Sequence, residues 1–293
     1  MRKSKYLVLS SFYFDFNNDL SEIKEIKALF ENQNILDLER FNDLKIIKFN
    51  VFSENQIKHL RLPKNIEIIG DWAFANNKIE ILDISNCTKL KNIRNSAFCK
   101  NQIKHLKLPK NIEKIEWCAF MNNQIQLLDL SNYINLRIIK SGVFSYNQIK
   151  QLKLPKNIEI IGNCVFYNNK IENLDLSNCI NLKVINENAF EKNQIKQLKL
   201  PKNIEILDKY TFSVNQIEIL DLSNCIKLKE ILSDAFSDNP LKEVKILDNI
   251  EIEYDIDYYK NDMWNIFARY YNNNKKKAGD YKYIDNKWQW YPL

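Results

Sequence analysis

The fold is decided by the stretch from Phe144 to Phe190. It reads F-S-Y-N-Q-I-K-Q-L-K-L-P-K-N-I-E-I-I-G-N-C-V-F and continues Y-N-N-K-I-E-N-L-D-L-S-N-C-I-N-L-K-V-I-N-E-N-A-F. Both halves carry the same skeleton: a phenylalanine, an asparagine three residues later, an isoleucine two residues after that, and then Leu-x-Leu. The stretch is therefore two copies of one shorter unit.

The same skeleton continues before and after this stretch. Its phenylalanines are spaced alternately by 22 and 24 residues, and an asparagine follows each of them three residues later. They are Phe52, Phe74, Phe98, Phe120, Phe144, Phe166, Phe190, Phe212 and Phe236. A fixed period of this kind predicts a repeat protein in which each unit packs against its neighbours, so a single solenoid is expected rather than two globular domains.

The Leu-x-Leu positions predict one short strand in each repeat, because apolar side chains alternate with polar ones there. The apolar pairs are Leu36/Leu38, Leu60/Leu62, Leu82/Ile84, Leu106/Leu108, Leu128/Leu130, Leu152/Leu154, Leu174/Leu176, Leu198/Leu200, Leu220/Leu222 and Val244/Ile246. Stacked coils would join these strands into a parallel sheet of about ten strands. The repeated phenylalanine is expected to point inward, and the asparagine after it suits the left-handed conformation that ends a turn.

Two patterns resemble a known family. Ile149 to Asn157 reads Ile-x-x-Leu-x-Leu-x-x-Asn, the core pattern of leucine-rich repeats. Leu62 to Phe74 and Leu154 to Phe166 read Leu-Pro-x-x-Ile-x-x-Ile-Gly-x-x-x-Phe, which is similar to the BspA-like subclass of bacterial surface proteins. The resemblance covers residues 35–248. It implies a right-handed α/β solenoid, adhesion to host proteins or other cells, and no enzymatic activity.

Three regions are predicted along the chain. Residues 1–34 would form an N-terminal cap, residues 35–248 the solenoid with alternating coils of 22 and 24 residues, and residues 249–293 a C-terminal α+β cap. Caps are needed because the ends of a solenoid otherwise expose core side chains and strand edges. The C-terminal cap is expected to contain an aromatic helix within Tyr258 to Asn272, and a hairpin that turns at Asp285-Asn286.

The N-terminus allows two interpretations. Basic residues precede the apolar run Tyr6 to Phe16, as in a secretory signal, but the run is short and lacks a small-residue cleavage pattern, which favours a structural strand. Asp19 to Glu31 reads as an amphipathic helix with capping-box spacing. Cell-surface or secreted localisation follows from the resemblance, and a cytoplasmic location stays an alternative. No run reaches the roughly 20 apolar residues that span a bilayer.

Charges alternate in sign at the outward position between each Leu-x-Leu pair. These residues are Asp37, Arg61, Asp83, Lys107, Asp129, Lys153, Asp175, Lys199, Asp221 and Lys245. In a parallel sheet each carboxylate would lie between two cations about 5 Å away. Each exposed pair contributes only about 0–1 kcal/mol, but the alternation penalises a slip of one coil. We therefore expect the charges to hold the register of the sheet.

The same sheet face is the candidate protein-binding site. Its candidate residues are His59, Arg61, Ile81, Asp83, His105, Lys107, Leu127, Asp129, Gln151, Lys153, Asn173, Asp175, Gln197, Lys199, Ile219 and Asp221. The uncharged positions vary between coils, and Ile81, Leu127 and Ile219 would lie in water on an open sheet. The expected partner is a protein, such as a host matrix or cell-surface protein, bound by a monomer.

Other chemistries lack support in the sequence. The net charge is +6, but cations and anions nearly balance within the repeats, so the basic stripe of a nucleic-acid-binding protein is missing. His59 and His105 lie two coils apart, too far to share a metal ion. The cysteines at repeated positions are interpreted as buried fillers. Without a nucleophile elbow or a phosphate-binding glycine loop, we expect no enzyme and no cofactor, and an intracellular scaffold is the alternative to an adhesin.

Overall fold

The computed structural model describes residues 34–254 and 262–293. The predicted strand Tyr6 to Phe16 and the predicted helix Asp19 to Glu31 lie outside the described residues. The chain divides into two compact units. The first unit comprises residues 1–128 with 142–148, and the second comprises residues 129–141 with 149–293.

Each repeat contributes one short strand at its Leu-x-Leu position. We call these the face strands. They are β1 Ile35–Asp37, β3 His59–Arg61, β5 Ile81–Asp83, β7 His105–Lys107, β9 Leu127–Asp129, β11 Gln151–Lys153, β13 Asn173–Asp175, β15 Gln197–Lys199, β17 Ile219–Asp221 and β19 Glu243–Ile246. The central leucine is buried in most of them, and the residues on either side of it are exposed, which confirms the predicted alternation.

A second strand follows in every repeat, which the sequence did not predict. We call these the return strands. They are β2 Ile46–Ile47, β4 Ile68–Ile69, β6 Asn92–Ile93, β8 Lys114–Ile115, β10 Ile138–Ile139, β12 Ile160–Ile161, β14 Val184–Ile185, β16 Ile206–Leu207, β18 Glu230–Ile231 and β20 Glu251–Ile252. A strand of two residues is too short to show alternation in the sequence. The return strands form because they pair with the same segment of neighbouring coils.

Both units are parallel β-solenoids. In the first unit, β2, β4, β6 and β8 pair in register, as Ile47 with Ile69 and Ile69 with Ile93. In the second unit, β10 to β20 pair in the same manner. The face strands β1, β3, β5 and β7 also form a parallel sheet.

The phenylalanines form a stacked column in the core of each unit. In the first unit, the rings of Phe52, Phe74, Phe98, Phe120 and Phe144 stack with centroids 5.3–5.6 Å apart. In the second unit, Phe166, Phe190, Phe212 and Phe236 stack at 5.2–5.4 Å. All nine rings are fully buried, as the sequence predicted. Burying one phenylalanine contributes about 1.5–3 kcal/mol, so the column stabilises every coil.

The asparagine after each phenylalanine bonds to the neighbouring coil. In the second unit, the amide nitrogen of Asn193 donates to the carbonyl oxygens of Phe190 at 3.1 Å and of Phe166, one coil earlier, at 2.9 Å. Its amide oxygen accepts a hydrogen bond from the backbone N–H of Ile171 at 3.1 Å. Because the Asn193 side chain is buried, it satisfies backbone N–H and carbonyl groups of two coils that water does not reach.

The expectation that this asparagine is left-handed was wrong. The left-handed residues are the ones two before and two after the phenylalanine, such as Asn188 with φ 58° and Lys192 with φ 55° around Phe190. Asn193 itself has no positive φ. The turn is therefore completed one residue earlier than predicted, which frees the asparagine side chain to reach the preceding coil.

Beyond the repeats, one described helix and a hairpin complete the second unit. The helix α1 spans Met263–Asn273, and the hairpin strands are β21 Gly279–Ile284 and β22 Lys287–Tyr291. The two turn residues, Asp285 and Asn286, have φ of 50° and 59°, as a tight hairpin turn requires. Strand β21 pairs antiparallel with β19, so the hairpin covers the edge of the last face strand. Among the described residues, no helix is long and apolar enough to cross a membrane.

Candidate functional site

All sixteen candidate residues lie on the exposed side of the face strands. In the first unit, Ile81 stands opposite both His59 and His105 in the strand register. In the second unit, Asn173 stands opposite Gln197 and Asp175 opposite Lys199. Within each unit, the face strands therefore bring candidate residues side by side in two columns, one of charged residues and one of mixed composition.

The charged column forms ion pairs in one direction only. In the first unit, Asp37 lies 3.4 Å from Arg61, and Asp83 lies 3.2 Å from Lys107. In the second unit, the distances are 3.7 Å from Asp129 to Lys153 and 3.8 Å from Asp175 to Lys199. In each pair the cation lies 24 residues after the carboxylate.

Although the sequence places a repeated aspartate such as Asp83 or Asp175 between two cation-bearing strands, an ion pair forms with the cation of only one of them. Within the residues that the structure describes, Asp83 forms no ion pair with Arg61, and Asp175 forms none with Lys153. Asp221 stands opposite Lys245 in the register, but the Lys245 ammonium pairs with Glu243 at 3.4 Å. The charges therefore join coils two by two instead of forming an unbroken ladder.

The strand pairing follows the same alternation. Four of the aspartate-bearing face strands pair over three residues with the cation-bearing strand that follows, namely β1 with β3, β5 with β7, β13 with β15 and β17 with β19. We call these tight pairs. A cation-bearing strand is joined less closely to the next aspartate-bearing strand: β3 pairs with β5 at one residue only, and β15 and β17 lie in separate sheets. We call these places open junctions.

Leucine burial confirms the difference between the two kinds of neighbour. On the aspartate-bearing strands, Leu82, Leu174 and Leu220 are at most 2% exposed. On the cation-bearing strands, Leu106 and Leu198 are only half-buried. The predicted single ladder of about ten face strands is therefore interrupted. Leu106 and Leu198 are partly accessible to solvent, whereas Leu60 and Leu152, also on cation-bearing strands, stay buried at 7% and 8% exposure.

Ion pairs elsewhere on the coils reinforce the tight pairs. Before the face strands, Lys104 lies 2.9 Å from Glu80. Beside the return strands, Lys91 lies 2.7 Å from Glu113. Both pairs join the coil that contains β5 to the coil that contains β7. The hydrogen bond from the Lys104 ammonium lowers the pKa of Glu80 below its usual value. The 46-residue period of the sequence thus corresponds to two coils that ion pairs join on both sides. Glu205, beside β16, is an exception, because it pairs with Lys183 of the preceding coil at 3.4 Å and with Lys229 of the next coil at 2.9 Å.

A serine two residues after four of the five repeated aspartates orients the carboxylate, a contact that the sequence did not predict. The Ser131 hydroxyl donates to Asp129 Oδ1 at 2.6 Å, and its backbone N–H donates to the same oxygen at 3.0 Å. These bonds are the main cause that lowers the pKa of the Asp129 carboxyl, and Ser177 acts in the same way on Asp175. The recurring Asp-Leu-Ser motif is a sequence signal for this turn.

The mixed column carries large apolar side chains in water. Ile81 and Ile219 are each 57% exposed, and Leu127 is 64% exposed. The three residues occupy the same position of the repeat, with 46 residues from Ile81 to Leu127 and 92 residues from Leu127 to Ile219. Single exposed apolar residues are ordinary, but their recurrence at one position of a backbone fixed by neighbouring coils is typical of a contact surface.

Three clefts lie at open junctions of the face. In the first unit, one of about 630 Å³ lies between β3 and β5. In the second unit, one of about 860 Å³ lies between β11 and β13, and one of about 1200 Å³ lies between β15 and β17. The half-buried Leu198 forms part of the floor of the last cleft. Concave surfaces therefore occur on the face where the strand pairing is looser.

The cysteines do not form a metal or redox site. The six cysteines form no disulfide, and no group of histidine, cysteine or carboxylate side chains suited to a metal occurs within residues 34–254 and 262–293. Burial raises the pKa of Cys87 and Cys179 to about 11 and that of Cys225 to about 12, so these thiols stay protonated at neutral pH. They are buried fillers, as predicted, whereas Cys118 and Cys164 are half-exposed.

Reversing one charge on the face is expected to have a modest, partly salt-dependent effect. Asp129→Lys replaces the ion pair with Lys153 by repulsion and also removes the bonds from Ser131, so we expect a loss of about 1 kcal/mol in the free energy of unfolding. The loss should shrink in high salt, because only the charge contribution is screened. Denaturant unfolding at low and high salt measures both parts.

The matched control is the double variant with Asp129→Lys and Lys153→Asp. It restores opposite charges but not the serine bonds, and should therefore recover the salt-dependent part only. An unchanged stability of Asp129→Lys at low salt would refute a register role for the charges.

Comparison with known proteins gives one family match and several matches to solved structures. The model of the BspA-type leucine-rich repeat region matches residues 24–138 and 137–262. The pneumococcal vaccine antigen PcpA is 17% identical over 75% of this chain and 74% of its own, with a TM-score of 0.43. A leucine-rich repeat protein from Bacteroides ovatus is 16% identical over 73% of this chain and 67% of its own, with a TM-score of 0.39.

A leucine-rich cell-surface protein from Faecalibacterium prausnitzii is also 16% identical, over 72% of this chain and 83% of its own, again with a TM-score of 0.39. No curated protein matches the sequence.

Proposed function

The chain belongs to the BspA-type leucine-rich repeat family, and we propose on that basis that it is a non-enzymatic module that binds a protein partner through its face strands. The observation that carries the proposal is the exposure of Ile81, Leu127 and Ile219 at one repeat position. Contact surfaces combine apolar residues with charged residues that orient the partner. The charged residues that alternate in sign beside these three side chains would orient the partner.

Rigidity of the backbone supports the same role. Within each unit, the return strands join neighbouring coils, and the asparagine amides add further bonds between them. Residues on such a scaffold lose little conformational freedom when a partner binds, which reduces the entropic cost of association. The variable positions of the face can therefore change between proteins without changing the fold.

Adhesion at the bacterial surface is the finer part of the proposal. It rests on the family resemblance, which associates these repeats with binding to host proteins or other cells. Protease treatment of intact cells measures it: loss of the full-length protein without lysis would support surface display. Protection of the protein in intact cells, with cleavage only after lysis, would favour the intracellular scaffold.

We further propose that residues 249–293 cap the last coil and that residues 1–34 cap the first. For the C-terminal cap the support is direct contact: the Trp264 ring lies 4.9 Å from that of Phe236, and β21 pairs with β19. These contacts bury the end of the phenylalanine column and the edge of the sheet, the two surfaces that a solenoid must cover at its end.

Replacing Ile81, Leu127 and Ile219 by serine is expected to weaken binding at least tenfold while leaving the fold intact. The three side chains are exposed, so their removal costs little folding energy, whereas each would be buried by a partner. Binding of the purified protein to a panel of extracellular-matrix proteins, followed by titration with any partner found, measures the effect.

The matched control replaces Phe49, Trp117 and Ile160 by serine, because these residues are exposed and apolar but lie outside the face strands. We expect the control to bind as the unmodified protein does. Undiminished binding of the face variant would contradict the proposed face and would favour the return-strand side or the C-terminal segment.

A further inference from the structure

The cleft between β15 and β17 differs from the rest of the face in its shape and lining. We call it the junction cleft. The two strands belong to separate sheets, and the space between them measures about 1200 Å³. Small-molecule sites are typically about 300–1000 Å³, so the junction cleft has room for several residues of an extended chain.

The floor of the junction cleft is apolar. It is lined by Leu198, Leu200, Cys225 and Pro240, and the exposed side chain of Ile226 borders it. Leu198 is half-buried, whereas the corresponding Leu174 of the preceding aspartate-bearing strand is 2% exposed. A ligand with apolar side chains would therefore remove leucine surface from water that the neighbouring coil leaves uncovered.

Cations outnumber carboxylates among the charged residues that line the junction cleft, which are Lys196, Lys199, Lys202, Glu218 and Asp221. Among the described ion pairs, none involves Lys196 or Lys202, although both line the cleft. Glu218, in contrast, lies 2.9 Å from Lys242, and Asp221 accepts from the Ser223 hydroxyl at 2.6 Å. The cleft is therefore electrostatically suited to an anionic ligand.

The positions of Lys196 and Lys202 indicate the spacing of the acidic groups on a matching ligand. Lys196 precedes β15 and Lys202 follows it, so the apolar floor lies between them along the strand direction. Six residues of extended chain cover up to about 20 Å. A matching ligand has acidic groups at both ends of a stretch of that length and apolar side chains between them.

We propose that the junction cleft binds an extended protein segment in which a short apolar stretch is flanked by acidic residues. The inference rests on the proposed function, since it names the chemistry of the partner for one part of the face. The apolar floor favours a peptide over a sulfated polysaccharide, which offers anions but no apolar side chains.

The test uses the full-length protein and a fluorescein-labelled peptide, Glu-Glu-Leu-Val-Leu-Val-Glu-Glu, with blocked ends. We expect saturable binding that weakens as salt rises, because the end contacts are ionic. A peptide with lysine in place of every glutamate and one with serine in place of the apolar centre should each bind at least tenfold more weakly. Equal binding of the serine peptide would overturn the inference, as would binding of a heparin oligosaccharide without binding of the peptide.

Two variants locate the site. Lys196→Glu with Lys202→Glu should lower peptide affinity at least tenfold, whereas Lys110→Glu, at the repeat position of Lys202 but outside the clefts of the face, should change it less than twofold. All three lysines are exposed, so the variants should fold, which their circular dichroism checks. Equal affinity in the double variant would overturn the assignment.

A wrong inference about the junction cleft and a wrong proposed function would give different experimental results. Ile81→Ser with Leu127→Ser leaves the junction cleft unchanged, so peptide binding should persist in that variant. If the peptide does not bind the unmodified protein while this variant loses a partner protein, the inference about the cleft is wrong and the proposed face stands.

Discussion

Replacing Asn193 by alanine is expected to lower the free energy of unfolding by about 3–5 kcal/mol. The amide of Asn193 accepts from the N–H of Ile171 and donates to the carbonyl oxygens of Phe166 and Phe190. The side chain is only 7% exposed, so alanine would leave backbone groups of two coils without a partner or water. Urea unfolding followed by far-ultraviolet circular dichroism measures the loss.

Asn157→Ala is the matched control for this prediction. Asn157 lies in the same unit but forms a single, exposed hydrogen bond of 3.5 Å to the carbonyl of Ile134. Its removal should cost less than about 0.5 kcal/mol, as for most surface substitutions. Equal effects of the two substitutions would show that the buried amide does not join the coils energetically.

Trp264→Ala is expected to destabilise the second unit by about 3–5 kcal/mol, as for other buried aromatic residues truncated to alanine. The Trp264 side chain is fully buried, and its ring lies 4.9 Å from Phe236 and 5.4 Å from Phe267. Removing it would open a cavity between the last repeat and α1. The phenylalanine column would then lose the ring that covers its end.

Hydrogen exchange adds a local measurement to the unfolding experiment, because repeat proteins can open from one end. We expect Trp264→Ala to lose protection first in β19 and β20, the strands next to the helix. Trp264→Phe should cost less than alanine, because a ring still covers Phe236. Trp117→Ala is the control, since Trp117 is exposed and should tolerate truncation. Unchanged protection of the last strands in Trp264→Ala would contradict a capping role.

Much of the fold follows from local sequence patterns. The face strands were predicted because Leu-x-Leu with polar neighbours alternates within one segment, as in Gln151–Lys153 and Asn173–Asp175. The burial of the phenylalanines was predicted because their spacing places one ring in every coil. Both signals lie within a few residues or in a fixed period, and both can be read without knowing which coils touch.

The paired arrangement of the coils could not be predicted in the same way. Along the sequence, the strand that carries Asp175 has one neighbour with Lys153 and another with Lys199. Only the strand pairing decides that Lys199 is the ion-pair partner of Asp175. The open junction and its cleft follow from that choice. They depend on backbone distances between coils, which side-chain charge alone does not specify.

By itself, the sequence determined the repeat, its family, the strand in each coil and the set of side chains on the exposed face, because these follow from spacing and from alternation along one segment. Only the tertiary structure decided the return ladder, the role of the asparagines and the division into tight pairs and open junctions. The physical reason is that these features depend on hydrogen bonds between residues more than 20 positions apart, as where the Asn193 side chain bonds to the backbone of Ile171 and of Phe166. The partners of such bonds are set when the coils pack.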